Sequence, residues 1–578
     1  MELEEEINPE KLEDFKAPDI DPLRKKKIKR YLTLAFILLF IIGFIIGLVF
    51  LLRYLLKKEK YEIFCKFYSI GNETIKIINE KVIKDKDNYD LLINGEKVSR
   101  EALQKLNQGN NTVKFEFKDK FDTLYELFYG IDKLIEIDLS KMNPEAFSNI
   151  TRIFSDCESL KKINFGSESK KIKYMEEAFA GCSSLESIDL TSFNTENVHD
   201  ISRLFSGCYS LKSINLSKFD TQNVENMEAM FSGCYLLESI NLSKFDLEKV
   251  EDMSYMFSYC ENLVNITFGK SKTKELKRMI GTFMDCFSLE NINLPDINDN
   301  NLTDISLLFS NCIKLESIDL SKFNTKNVKN MYKMFSNCQS IKSLNLNAFI
   351  TTSVLNMKEM FSNCINLVEI NHSFSTQSVI YFESQFANCS SLTRLDLRSF
   401  NTKGAHEMKN MFSGCSSLVS LNIINFHANK LNNVDYMFEG CSSLKNIDLS
   451  FLTDSEGLIS TTGMFKNCTS LETITFPHVF TFSLYKTNEM FSGCKKITYI
   501  DFNDLNTLSV KNMEKMFYNC SSLKTLKIAK FNTRSVENYE GIFEGIENSS
   551  SFSITYNSNK TEEIEDAIMD KWKKIFIS

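Results

Sequence analysis

Fifteen of the 16 cysteines in this chain recur at intervals of 25, 26 or 27 residues. Thiolates bind metals and act as nucleophiles, and thiols pair into disulfides, so the series asks first for a chemical explanation. One period beyond each end of the series, Ile131 and Ile546 occupy the equivalent positions while the flanking pattern persists. A ligand or redox residue would not be exchanged for an aliphatic one, so we expect an apolar packing position, with a metal site or disulfides as alternatives. The series is Cys157, Cys182, Cys208, Cys234, Cys260, Cys286, Cys312, Cys338, Cys364, Cys389, Cys415, Cys441, Cys468, Cys494 and Cys520.

A phenylalanine stands three residues before each of these positions, from Phe128 to Phe543. It is present in all 17 repeats, including the two that carry isoleucine. This regularity predicts a continuous aromatic spine in the core rather than an aromatic binding strip.

A second periodic set contains Asp or Asn between two apolar residues of each repeat. Carboxylates in such a column suggest acid–base catalysis or a cation site, but Asn is as frequent there as Asp. We therefore expect a hydrogen-bonding face for a protein or glycan ligand, and the alternative is a merely solvated surface. The candidate residues are Asp189, Asn215, Asn241, Asn293, Asp319, Asn345, Asp396, Asn422 and Asp448.

The elements that position these columns follow from the spacing inside one repeat. Met227, Met230 and Cys234 lie about three and a half residues apart, which predicts a short helix. Ile240 and Leu242 are two apart, which predicts a strand. Such units bury their apolar stripes only by stacking, so residues 121–550 are expected to form an α/β, leucine-rich-repeat-like solenoid of about 17 helix–strand units.

Both ends of the solenoid need covers for their exposed cores. Residues 57–120 lack the repeat and contain short alternating segments, which predicts a small β-rich N-terminal cap. Residues 551–578 are expected to form a C-terminal cap, with a last strand and an amphipathic helix over 561–575.

The N-terminus carries a candidate membrane segment. Residues 1–30 are expected to form a disordered cytoplasmic tail, rich in acids and ending in a basic cluster. Tyr31–Leu52 contains no charge over 22 residues, enough to span a bilayer. We interpret 31–56 as an uncleaved signal anchor in the lipid bilayer, because its apolar core is longer than that of a cleaved signal peptide and no small-x-small site follows. Six positive residues precede Tyr31–Leu52 and four follow it, and this excess favours a cytoplasmic N-terminus. This predicts a single-pass type II protein of the cell membrane with extracellular repeats.

The repeat motif resembles a known family. The segment Met411–Leu418 reads MFSGCSSL, and Asn324–Met331 continues the pattern as NTKNVKNM. Both resemble the 26-residue variety of BspA-like leucine-rich-repeat surface proteins. The usual asparagine after the strand is here phenylalanine, as at Phe193 and Phe219. The resemblance implies surface display and adhesion, without catalysis.

Several other classes of function find no support in the sequence. The net charge is −8 without a basic face, which argues against a nucleic-acid partner. The five histidines share no motif, no nucleotide or hydrolase signature occurs, and no cofactor is expected. Irregular stretches near Ile370 and His372, at 270–277 and at 452–458 are where a specific site could lie. We expect a membrane-anchored surface protein that binds proteins or glycans, or alternatively an intracellular membrane-tethered scaffold.

Overall fold

The computed structural model describes residues 21–55, 61–83, 86–455, 457–477, 484–502, 505, 507–528, 535–546 and 553–555. The chain divides into two units, Met1–Lys60 and Tyr61–Ser578. The predicted disordered segment 1–20, the C-terminal helix over 561–575 and the end of the predicted anchor at residue 56 lie outside the described residues.

The first unit contains one helix, α1, at Pro22–Leu55. It begins before the expected anchor, so residues 22–30, predicted as part of a disordered tail, are helical. The stretch Pro22–Leu52 has a mean hydropathy of 3.2 in its most apolar window, which is long and apolar enough to cross a membrane.

The second unit is built from short strands and turns. Four short 3-10 segments occur at Glu80–Val82, Lys86–Asn88, Pro144–Ser148 and Ser450–Asp454. The strands are β1 Tyr61–Ser69, β2 Glu73–Lys76, β3 Tyr89–Ile93, β4 Glu96–Val98, β5 Leu103–Leu106, β6 Gly109–Phe117, β7 Leu134–Asp138, β8 Lys162–Asn164, β9 Lys170–Lys171, β10 Phe193–Asn194, β11 Ser239–Leu242, β12 Asn265–Phe268, β13 Asn291–Ile292, β14 Ser317–Ile318, β15 Ser343–Leu346, β16 Glu369–His372, β17 Arg394–Asp396, β18 Ser420–Asn422, β19 Asn446–Asp448, β20 Thr473–Thr475, β21 Tyr499–Asp501, β22 Thr525–Lys527 and β23 Ser553–Thr555.

An antiparallel sheet begins this unit and continues into the repeats. Its strand order is β4-β3-β6-β1-β7-β8. Strand β1 pairs with β6 along its whole length and with β7 on its other side. Strand β8 then adds to β7 in parallel, which is the pairing of the repeats themselves. The strands of residues 61–117 therefore cover the core of the first turn, and β1 is hydrogen-bonded to β7, the first strand of the repeats.

The repeats form a β-solenoid of about 15 turns. Strands of neighbouring turns pair in parallel and in register, mostly two by two, as Ser239 with Asn265 and Leu242 with Phe268 do. A second parallel ladder of single bridges joins most successive turns on another side, between Asn149 and Asn538. Most turns therefore bond to their neighbours on more than one side.

The short helices expected in each repeat are not formed; consecutive tight turns take their place. The Met230 amide donates to the Met227 carbonyl and the Cys234 amide to the Phe231 carbonyl, as in turns of four residues. Ala229 and Gly233, each the third residue of such a turn, have φ of 52° and 74°, as type II turns require. The amides of Ala229, Phe231 and Gly233 donate instead to carbonyls of the next turn of the solenoid. Paired turns thus reproduce the helical spacing of apolar residues without a helix.

The aromatic spine predicted from the sequence is present. Seventeen phenylalanine rings, from Phe128 to Phe543, stack in one line with neighbouring centroids 5.3–6.0 Å apart and ring planes within 23°. Burial of each of these rings contributes on the order of 2–3 kcal/mol to stability.

The cysteine column packs in the core, but it is not simply apolar. All 16 cysteines are buried and free. Each of the 15 periodic thiols donates to the backbone carbonyl of the phenylalanine one turn earlier, at 3.0–3.3 Å from Sγ to O. Ile131 lies in the first turn. No phenylalanine of the series precedes that turn, so a thiol there would have no equivalent carbonyl to accept its hydrogen bond. Burial raises the pKa of these thiols, that of Cys364 to about 12, so they stay protonated donors.

A buried threonine column forms a third set of contacts between turns. The hydroxyl of each donates to a backbone carbonyl of the next turn at 2.6–3.0 Å. The same hydroxyl accepts from that residue's amide at 2.7–2.8 Å. The column explains the threonine of the repeated Phe-Asn-Thr motif, and its members are Thr195, Thr221, Thr325, Thr351, Thr376 and Thr402.

Candidate binding face on the strand side

The nine candidate residues form one row along the strand side of the solenoid. Eight of them are exposed and Asn422 is half-buried. Parallel pairing aligns the row from turn to turn, for example Asp396 with Asn422. The strand face predicted from the sequence is therefore an ordered row of polar side chains.

Most of these side chains also shape the backbone. In all but Asn293, the side-chain oxygen accepts the amide hydrogen of the residue two positions later, at 2.9–3.4 Å. Asn293 is followed two residues later by Pro295, which has no amide hydrogen. Asn and Asp favour such local turns, so this structural role accounts for their regularity. The turns occupy acceptor oxygens, and the amide groups of the asparagines remain as outward donors.

Three carboxylates of the row are held in their charged form. The hydroxyl and amide of Thr191 lower the pKa of Asp189, and the amide of Ser321 lowers that of Asp319. Arg398 lowers the pKa of Asp396, because its Nε donates hydrogen bonds to the two carboxylate oxygens at 3.0 and 2.9 Å. Carboxylates that stay ionised near neutral pH are better suited to binding a ligand than to transferring a proton.

The irregular stretch at His372 carries the most distinctive part of this face. His372 takes an inward position that is leucine in neighbouring turns such as Leu346 and Leu397. Its ring is half-buried, stacks on Phe374 at 4.8 Å and meets the edge of Phe400 at 5.6 Å. Burial lowers the pKa of His372, against the opposing influence of Asp396, so the ring is neutral at pH 7.

An open cavity of about 720 Å³ lies beside this histidine. It spans four successive turns and includes two of the candidate residues, Asp396 and Asn422. Glu369, Arg394 and Arg398 also line it. The structure thus brings together charges that the sequence analysis did not single out.

The signal for these residues was present in the column that begins each strand. From Ser187 to Thr525 this column holds Ser, Asn, Thr or Tyr, except for Glu369 and Arg394. Departure from the repeat, rather than agreement with it, marks the cavity.

A second cavity of about 490 Å³ lies where the N-terminal sheet meets the first turns. Asp189 lines it together with Lys66 and Glu136, which form an ion pair at 2.7 Å. The other candidates, namely Asn215, Asn241, Asn293, Asp319, Asn345 and Asp448, line neither of these cavities.

The described part of the chain contains no cluster of side chains suited to binding a metal ion. Within it, no group of three or more His, Cys, Asp or Glu side chains is arranged to hold an ion. The thiols, buried and raised in pKa, are poor ligands for a metal from solution.

Comparisons with known proteins place the chain in a family. Solved structures that resemble it include a leucine-rich repeat protein from Eubacterium ventriosum (17% identity, TM-score 0.29, covering 69% of this chain and 92% of that one) and one from Leptospira interrogans (10%, 0.21, 76% and 88%). A third is the TLR13–ssRNA13 complex (13%, 0.16, 76% and 92%). No curated protein matches the chain.

The sequence matches of a family profile follow the solenoid. They cover residues 110–187, 173–294, 277–395, 368–476 and 485–570, which is more than half of the chain. The chain belongs to the family described as Mycoplasma protein of unknown function, DUF285.

Proposed function

We propose that this protein is a membrane-anchored surface protein whose solenoid binds an external protein or glycan along its strand face, without catalysis. The observation that carries the proposal is the aligned row of exposed polar side chains on the strands. Its amide donors recur at every few turns, which suits many spread contacts with an extended ligand.

The repeat motif supports the BspA-like variety of leucine-rich repeat and a count of 17 units. The chain's MFSGCSSL segments resemble the 26-residue BspA-like variety, and the 17 stacked rings count 17 units when the first and last are included. Surface adhesion is the role that this resemblance implies.

The N-terminal helix supports the anchor. Pro22–Leu52 is apolar, and the basic residues Arg24–Arg30 precede its uncharged part. Greater positive charge before the span favours a cytoplasmic N-terminus and external repeats.

Binding through the strand face is tested by blocking it. Ser213→Trp combined with Ser239→Trp places two bulky side chains at equivalent exposed positions on the strand side of adjacent turns, without removing a turn-forming Asn. We expect weaker attachment of the full chain, in detergent, to host-matrix proteins and arrayed glycans. Gln222→Trp, at an exposed position off the strands, is the matched control. Equal binding by the blocked protein and the control would refute the strand face as the binding surface.

The alternative, an intracellular scaffold, uses the same solenoid with the anchor reversed. Protease added to intact cells should digest the repeats and leave a short tail. Digestion only after permeabilisation would favour the scaffold.

A further inference from the structure

Arg394 is exposed on the strand face, and no side chain among the described residues pairs with its guanidinium. Glu369, at the same column one turn earlier, lies in no ion pair of the described structure either. Arg398, by contrast, is committed to Asp396, with Nη2 2.7 Å from the carboxylate. The free positive group of the cavity is therefore Arg394.

The groups around Arg394 are mainly hydrogen-bond donors. Asn422 uses its oxygen on the Ile424 amide, which leaves its amide nitrogen free to donate outward. Asn371 and Ser420 line the same cavity from the adjacent turns. A planar guanidinium flanked by amides and a hydroxyl matches a carboxylate bearing neighbouring hydroxyls.

The position of the cavity distinguishes a sugar from a peptide. Extended peptides gain much of their affinity by pairing with the free edge of a sheet. Strand β17 pairs with β18, as Arg394 pairs with Ser420, and the cavity opens on the face of these strands. A ligand in the cavity faces charged and polar side chains, and hydroxyl-rich ligands are recognised through such side chains.

We propose that this cavity binds a uronate carboxylate of an acidic polysaccharide, with Arg394 as its bidentate partner and Asn371 and Asn422 donating to adjacent hydroxyls. The inference rests on the proposed binding function and specifies one site and one ligand class for it. Glu369 lies beside the site, where its negative charge would repel the ligand's carboxylate. Removing that charge should therefore tighten binding, and the direction of this change is a test.

The probe is polygalacturonate, measured by biolayer interferometry with the full chain in detergent. Arg394→Ala should weaken binding roughly tenfold or more, as expected for a lost charge-assisted hydrogen bond. Arg394→Lys should rescue it only in part, because an ammonium lacks the planar fork. Glu369→Gln should tighten binding, since it removes a negative charge from the site.

Lys342→Ala is the matched control, because it removes an equal charge from an exposed position just before β15, two turns away. Its binding should stay within about twofold of the parent, as for a weak, screened surface charge. Equal losses for Lys342→Ala and Arg394→Ala, or a weaker complex with Glu369→Gln, would reject the site.

Poly-glutamate and neutral dextran separate the ligand classes. Binding of poly-glutamate alone, lost on Arg394→Ala, would replace the polysaccharide by an acidic peptide. If the full chain attaches to other surface ligands through the strand face but Arg394→Ala changes nothing, this inference fails and the proposed function stands. Circular dichroism of each variant confirms that its fold is retained.

Discussion

The turns around Met227 and those around His372 share one interior and differ in their outer face. In both, phenylalanine rings stack and thiols donate to the preceding turn. The first region presents Ser239 and Asn241 on its strand, whereas the second presents Glu369 and Arg394. Inward columns are constrained by both neighbouring turns, while the outer face is free to vary. Function should therefore be sought where the outer column departs from the repeat.

The largest effect is expected from breaking the shared aromatic spine. Phe309 is fully buried between Phe283 and Phe335, at 5.4 and 5.7 Å. Phe309→Ala should destabilise these turns by about 3–5 kcal/mol through lost burial and a cavity. Faster hydrogen exchange of amides in the flanking turns would show this. Tyr381→Ala, an exposed aromatic, should have an effect within about 0.5 kcal/mol.

A smaller loss is expected in the threonine column. Thr325→Val keeps the side-chain shape but leaves the carbonyl and amide of Ile350 without their hydroxyl partner. We expect destabilisation of about 1–3 kcal/mol in urea unfolding. Thr393→Val, on the exposed strand face, provides the comparison. A similar cost at both positions would mean that the buried contacts do not stabilise the stack.

The cysteine column allows a sharper test of what each turn gives to its neighbour. Cys312→Ala removes volume and the donor to Phe283, at a cost of about 1 kcal/mol. Cys312→Ser keeps a donor and should cost no more than alanine. In a purely apolar position serine would cost more, because its hydroxyl would be buried without a partner. Reductant should leave both melting temperatures unchanged, since the thiols are free.

The smallest effect is expected when His372 is replaced by the leucine that other turns have at this position. Because burial lowers the pKa of His372, the unfolded chain binds more protons below pH about 6.5. Folded stability should therefore fall as the pH drops from there through the lowered pKa. His372→Leu should remove this loss and stabilise the chain by about 1 kcal/mol at pH 5.

Exposed His406→Gln is the control for this pH dependence. Urea unfolding at pH 5 and pH 7 measures both variants. An unchanged acid loss in His372→Leu would assign it to another group.

The period, the aromatic spine and the position of the polar row were predictable because they depend on spacing alone. The helix was wrong for a physical reason: two tight turns place Met227, Met230 and Cys234 at the same intervals as a helix. The decisive signal was the residue before each cysteine, Gly or Asn in most repeats, as at Gly233 and Asn337. These residues adopt positive φ readily, whereas a helix would not select them.

The candidate site was predictable only in part. The sequence marks His372 as a break and Asp396 as a member of the polar row. It does not show that Arg398 would be committed to Asp396 while Arg394 is left free, because that depends on side-chain placement across turns. Likewise, the thiol contacts require the backbone of the preceding turn, which no local pattern reveals.

The stacking of each turn on its two neighbours has a mechanical consequence. Under a load applied between the ends of the solenoid, the terminal turns have one neighbour fewer and should detach first. Each 26-residue turn that unravels releases up to about 90 Å of contour, at ~3.3–3.6 Å per residue. The solenoid would then lengthen stepwise while the remaining turns keep their strand face intact, so that a sudden pull is absorbed by extension of the chain.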